Sequence, residues 1–419
     1  MSRRRNGGWT GDAQVFCSTS LFNYDVHSFW MSWLQSVREE QADNGLIDHV
    51  VPDTGCGHGS PGWGDVAVTS PWNVYVRTGD RRVLEENYAM MRKWVGAYER
   101  EAKDFIVNRG GFGDWLQPYA KKNPGDTPKE IIATAYFGHC SALTRDAARV
   151  LGKQDDAARY SELFANIRTA FSKKYFDNTG KLTVEQPTQT AYLMALGFDL
   201  LAPNLRAGAV KNLLALVDEA GGHLHTGFLG TPLIASVLDQ EGHSDVAYQV
   251  LFKETYPSWF FSINQGATTM WERWNSYSHD QGFGDAGMNS FNHYAYGAIG
   301  QWMYERIAGL APDPDQPGYK HFFVQPNPGG PLTHAVAELE TPYGKAASGW
   351  EKTDNGWIVK ATVPPNTTAT LVVPAAAGDC PVVTASGKAC DITRRDGRLI
   401  YGLVPGTHVF HITAGGKTE

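Results

Sequence analysis

A chain of 419 residues is long enough to bury a large core and to form two domains. A formal charge of -7 argues against nucleic acid or an anionic membrane as the main partner, and no apolar run approaches the ~18 residues that span a bilayer. Aromatic content is high, with 13 Trp, and the tryptophans cluster beside Gly, Asp and Glu.

The start, Met1 to Gly8, is basic and has no apolar segment behind it, so a secretory signal is not expected and a cytoplasmic location is. The five cysteines, Cys17, Cys56, Cys140, Cys380 and Cys390, are scattered without CxxC spacing. Such a set argues against a zinc site or a disulfide framework. Cys380 and Cys390 could pair across a hairpin, but free thiols are the expectation.

From Trp9 to about residue 308 the apolar pattern is helical. Thr10 is placed to cap a first helix through Gln14, Phe16 and Leu21, and a second spans Asp25 to Glu40. Others are expected over Trp63 to Thr78, Arg81 to Asp104, Pro128 to Leu151, Gln154 to Lys174, Thr188 to Leu196 and Leu205 to Ala220. The series closes with Thr231 to Gln240, His243 to Lys253, a short piece near Ser258 to Ile263, and Ser290 to Ile307. Short links alternate with long Gly/Pro/Trp-rich loops at Asp43 to Gly62, Asn108 to Thr127 and Gln265 to Asn289. About six helical hairpins with long loops at one end suggest a mainly α fold, an α/α toroid with a cleft where those loops meet.

After Leu310 the composition changes. Ala311 to Pro317 reads as a Pro-rich linker, and short β-rich runs follow at His321 to Gln325, Ala335 to Leu339, Lys345 to Trp350, Trp357 to Val363, Ala369 to Val373 and Val409 to Ile412. That spacing predicts a smaller antiparallel β-sandwich, giving domains 1-310 and 311-419. Asn366-Thr367-Thr368 matches a glycosylation sequon, which without a secretory signal reads as chance.

Four stretches set an aromatic beside an acid, in or next to a long loop, three of them with Gly: Gly8 to Asp12, Pro61 to Asp65, Gly111 to Trp115, and Trp271-Glu272-Arg273-Trp274. Indoles offer flat apolar faces and carboxylates accept from hydroxyls, the combination that suits a sugar. Each stretch alone also fits a plainer role, as a helix N-cap for Asp12 or Asp65, or as a buried Trp pair with a Glu272–Arg273 ion pair. Four in one helical domain favour a carbohydrate site walled by Trp9, Trp63, Trp115 and Trp271, with Asp12, Asp65, Asp114, Glu272 and His293 as polar groups. Glu272, between two indoles, is the choice for a base, because low polarity raises a carboxyl pKa. His293, expected one turn into the last helix, is placed to bind a hydroxyl or to serve only in the core. His223 and His225 at i, i+2 on a loop lack a third ligand, so no metal is expected there.

The runs Gly8-Trp9-Thr10-Gly11-Asp12-Ala13-Gln14, Pro61-Gly62-Trp63-Gly64-Asp65, Gly113-Asp114-Trp115, Thr226 to Pro232, Gly266 to Trp274 and Met288 to Gly297 resemble bacterial α-L-rhamnosidases of glycoside hydrolase family 78. The likeness continues through Pro342 to Lys345 and Pro364 to Thr368, so it covers essentially the whole chain in order. It implies an (α/α)6 barrel, an inverting mechanism, no cofactor or catalytic metal, and rhamnose-containing glycosides or oligosaccharides as substrates. Glu272 would be the general base. Trp9, Asp12, Trp63, Trp115 and His293 would line the rhamnose subsite, with Asp65 beside it, and Arg3 would correspond to a sugar-binding arginine.

One departure stands out. The family's general-acid Glu falls four residues before Trp9, where this chain has Arg5, which stays protonated and cannot act as an ordinary acid. The family's leading β-sandwich domains are also not in this sequence, so a truncated or engineered piece is one expectation. Recruitment of another acid, Asp12 ahead of Asp65, is the other. Three readings stay open: a rhamnosidase, another inverting glycosidase on the same toroid, and a non-catalytic rhamnose-binding remnant.

Overall fold

The structure is a computed structural model and describes residues 8–122, 124–374, 382–385, 388–389, 393–395 and 398–413. Arg3, Arg5, Cys380 and Cys390 lie outside the described residues, so the expectations placed on them fall outside it too.

Helices come first. They are α1 (Thr10–Asn23), α2 (His27–Glu40), α3 (Val66–Thr78), α4 (Arg81–Glu101), α5 (Lys129–Val150) and α6 (Gln154–Tyr175). Then follow α7 (Gln189–Gly197), α8 (Pro203–Glu219), α9 (Thr231–Gln240), α10 (Ser244–Leu251) and α11 (Trp259–Asn264). Each lies within a few residues of its periodic segment, because burial of one stripe is what the period records. In α4 that stripe is Val83, Leu84, Asn87, Tyr88, Met91, Trp94, Val95 and Tyr98. α5 and α6 pack together across the link Leu151-Gly152-Lys153. There Gly152, at φ +72°, lets the Lys153 amide donate back to the Ala148 carbonyl at 2.9 Å and close the helix end.

Three expectations for this part are corrected. Thr10 does not cap α1; its hydroxyl donates to the carbonyls of Asp48 (3.2 Å) and His49 (3.0 Å), tying the helix start to the loop that follows α2. No single helix runs from Ser290 to Ile307. A 3-10 turn (Ala295–Ile299), one α turn (Gly300–Trp302) and a π turn (Met303–Ile307) stand there, and residues 290–294 are irregular. Their backbone is used elsewhere: the Glu272 amide donates to Ser290 O and the His293 amide to Met270 O, both at 2.9 Å. The part is also not purely helical, since β1 (Tyr277–Ser278) and β2 (Gly282–Phe283) form a small hairpin in the long 265–289 loop.

The β-rich part carries β3 (Leu310–Pro312), β4 (His321–Val324), β5 (His334–Thr341), β6 (Gly344–Thr353), β7 (Gly356–Val363) and β8 (Thr368–Pro374). It continues with β9 (Val382–Ala385), β10 (Lys388–Ala389), β11 (Thr393–Arg395), β12 (Arg398–Leu403) and β13 (Gly406–Thr413). One sheet runs β10-β9-β13-β7-β6-β5 and the other β11-β12-β8-β4-β3. Among the described residues the pairings in these two sheets are antiparallel except β4 with β8, which is parallel and departs from the antiparallel expectation. Inward positions alternate along the strands, as with Val359, Ala361 and Val363 of β7, and they pack with Phe322, Trp350, Leu371 and Phe410.

Two compact units result. One holds the described residues up to Ser20, with Val26–Asn73 and Arg81–Ile299; the other holds Leu21–Asp25, Val74–Asp80 and the described residues from Gly300 on. The start of the expected linker is β3, an edge strand where Pro312 is tolerated.

Candidate active site

In the helical unit the long loops converge. Trp9, Asp12, Trp63, Trp115, Glu272 and His293 line one cavity of about 470 Å3, completed by Phe112, Phe228, Gly287 and Met288. A larger cavity, about 820 Å3, lies among Glu101, Lys103, Glu130 and Lys173; it mixes charges and lacks an aromatic wall, so size does not locate the chemistry.

Each wall is fixed by backbone bonds near it. Trp9 forms a bridge with Val50 and leads into α1, which puts Asp12 in that helix's first turn. Gly11 leaves room for Trp63; a Cβ there would meet the indole at 2.5 Å. The Gly62 peptide before Trp63 is held at both ends, its carbonyl by Gln14 Nε2 (2.9 Å) and its amide by Asp65 (2.6 Å). Phe112 stands among these rings, against Trp9 (6.0 Å), Trp63 (4.9 Å) and Trp115 (5.7 Å). The Phe228 amide donates to the Trp115 carbonyl at 2.9 Å, and its ring lies 5.2 Å from His293. Phe112 and Phe228 were missed from sequence, although each sits beside glycine in a quoted run, the same signal that marked the tryptophans.

Asp12 carries the electrostatics. It is buried, and its Oδ1 lies 3.0 Å from His293 Nε2. Burial lifts its pKa from 3.8 to about 7; its own backbone amide opposes the rise and the Glu272 charge adds to it. A well-bonded, low-pKa Asp12 would serve poorly as an acid, and that is not what the site holds. The carboxyl stands against the imidazole and lines the same cavity as a second carboxyl, Glu272, which is itself buried.

Asp65 and Asp114 do not line this cavity. Asp65 is fully buried and accepts from Trp94 Nε1 (2.8 Å), the Tyr98 hydroxyl (3.0 Å), the Gly62 amide (2.6 Å) and Cys140 Sγ (3.2 Å). Asp114 is likewise buried, and accepts from Thr190 Oγ1 (2.5 Å) and the amides of Gly227 (2.8 Å), Leu229 (2.9 Å) and Gly230 (3.2 Å). Burial pushes both pKa values up while the donors pull them down. These acids position Trp63, Trp115 and Phe228 from behind and do not face the cavity's contents. Asp114→Ala, which strands four buried donors, should lower stability by on the order of 3 kcal/mol, read from denaturant unfolding. A change below about 1 kcal/mol would contradict this account.

Trp271 is also displaced. It lies in a separate apolar cavity of about 300 Å3 with Trp259, Met270 and Trp274. Adjacent side chains leave the chain on different sides, so Glu272 reaching the aromatic cavity turns Trp271 away from it. Among the described residues no cluster of three or more His, Cys, Asp or Glu could hold a metal ion, and His223 bonds Ala220 O and Thr255 Oγ1 instead.

A helical-hairpin unit that gathers two carboxyls into an aromatic cavity defines a class, the hairpin-built glycosidase domain. The bacterial alpha-L-rhamnosidase 6 hairpin glycosidase domain matches residues 3–307, and the bacterial alpha-L-rhamnosidase C-terminal domain matches residues 309–388. An alpha-L-rhamnosidase of Formosa agariphila is 51% identical over 411 residues, covering 96% of this chain and 44% of that protein. The crystal structure of Streptomyces avermitilis alpha-L-rhamnosidase complexed with L-rhamnose superposes with a TM-score of 0.90 at 40% identity, over 98% of this chain and 38% of that one. The alpha-L-rhamnosidase from Dictyoglumus thermophilum gives a TM-score of 0.90 at 32% identity, over 97% and 46%. The chain belongs to the bacterial α-L-rhamnosidase family, and it spans less than half the length of these relatives.

Proposed function

We propose that the chain hydrolyses terminal α-L-rhamnosides with inversion. Glu272 takes the proton from the attacking water, and Asp12, paired with His293, supplies the proton to the departing oxygen. The observation that carries this reading is the Asp12 carboxyl, lifted to about 7 beside Glu272 in one aromatic cavity. An inverting reaction needs one carboxyl protonated and one ionised at the same pH, with room for water between them. Family membership supports rhamnose as the sugar, and Trp9, Trp63 and Trp115 give its C–H faces apolar walls.

Arg5 at the position of the family's acid favours a second reading, a rhamnose-binding remnant. A screen of nitrophenyl glycosides together with one flavonoid rhamnoside separates the two. Turnover of both rhamnosides supports the hydrolase with its own acid. Turnover of the nitrophenyl compound alone, whose leaving group needs little protonation, points to a base without an acid. No turnover with retained rhamnose binding supports the remnant.

Binding itself gives a further check. Trp115→Ala should weaken L-rhamnose affinity by roughly 1–3 kcal/mol, the cost of one lost buried aromatic contact, measured by calorimetric titration. Unchanged affinity would remove Trp115 from the sugar site.

A further inference from the structure

Next to the aromatic cavity lies a second one of about 520 Å3, and the two share Trp115 and Met288. The two cavities therefore adjoin at those two side chains, which places the second one beside the rings of the first. The charge of the second cavity is one-sided. Lys121, Lys122 and Arg273 line it, against one carboxylate, Asp285. That acid is 59% exposed and stands 3.9 Å from Arg273 Nη1, beyond hydrogen-bond reach, so it neutralises the guanidinium weakly.

The cations sit on braced backbone. The amides of Lys121 and Lys122 donate to the Asp126 carboxylate at 3.0 and 2.9 Å, and the Asp126 amide donates to Gln117 Oε1 at 2.8 Å. Arg273 follows Glu272 directly, so it is set by the same loop as the base. Tyr119 and Tyr256 stand edge to face, 5.3 Å apart, and the exposed Tyr119 ring adds an apolar face to the lining. A planar neutral aglycone would use the rings and make no use of the three cations. A sugar with a carboxylate uses both.

We propose that this second cavity is the subsite for the group that carries the rhamnose, and that it selects a uronic acid. The inference rests on the rhamnosidase reading for the identity of the terminal sugar. Arg273 offers a planar fork to the carboxylate, and Lys121 and Lys122 offer point charges.

The test uses the full chain carrying Glu272→Gln, so that ligands are not consumed, and titrates three of them calorimetrically. These are a rhamnosyl-uronic acid, its methyl ester, and methyl rhamnoside. The acid is expected to bind about tenfold tighter than the ester. The ratio should shrink towards one in about 0.5 M salt, and in the Lys121→Met/Lys122→Met and Arg273→Gln variants. Equal binding of acid and ester would overturn the proposal, as would a ratio that the three substitutions leave intact. Loss of methyl rhamnoside binding with the acid preference retained would refute the rhamnose reading and support the acidic subsite. Failure of all three ligands to bind would overturn both.

Discussion

Glu272→Gln is expected to lower turnover of every rhamnoside by about 10³-fold while L-rhamnose affinity stays within a few-fold. Glutamine keeps the shape and one carbonyl acceptor, so the wall remains, but it cannot take a proton from water. The split between turnover and affinity identifies a base, because a merely structural Glu272 would lose both. Steady-state rates with nitrophenyl rhamnoside and a titration with L-rhamnose measure the two quantities. Full activity in this variant would overturn the mechanism.

Asp12→Asn should have an effect that depends on the leaving group. A flavonoid rhamnoside, whose oxygen must be protonated as it departs, should lose about 10²-fold, and nitrophenyl rhamnoside less than about tenfold. The pH profile carries the same information. Donation needs the protonated form, and burial holds the Asp12 pKa up to about 7, so kcat/KM for the natural substrate should fall as pH rises through that value. In the Asn variant that alkaline limb should vanish. Equal losses on both substrates, or an unchanged limb, would remove Asp12 as the donor.

Much of this candidate site is legible in the sequence. Trp9, Asp12, Trp63, Trp115 and Glu272 stand in runs that set an aromatic beside an acid, His293 stands between Asn292 and Tyr294, and all six line one cavity. The same pattern chose Asp65, Asp114 and Trp271, which stand behind the walls. Residue type and spacing report that a loop is built around close ring contacts. They do not report which neighbour faces the cavity, since that depends on where backbone amides need acceptors. Asp65 and Asp114 are drawn inward by amides of the loops they hold, Gly62 for one and Gly227, Leu229 and Gly230 for the other. The helices were legible for a simpler reason: a stripe such as that of α4 is written in period alone. The 290–294 segment was not, because its helical pattern lost to pairing with the loop that carries Glu272.

Phe112 has no hydrogen-bonding or proton-transfer chemistry in its side chain, yet Trp9, Trp63, Trp115 and His49 all lean on its ring. Its amide is anchored to Ser60 Oγ at 2.9 Å, and the ring is enclosed by these four neighbours. The walls of the aromatic cavity are thereby thermodynamically coupled. Substitutions at Trp9, Trp63 and Trp115 share one partner, and their free energies will not sum as those of independent sites do. The shape of the cavity is then altered by changing the rings as a set, with Phe112 as the residue through which each adjustment is felt by the others.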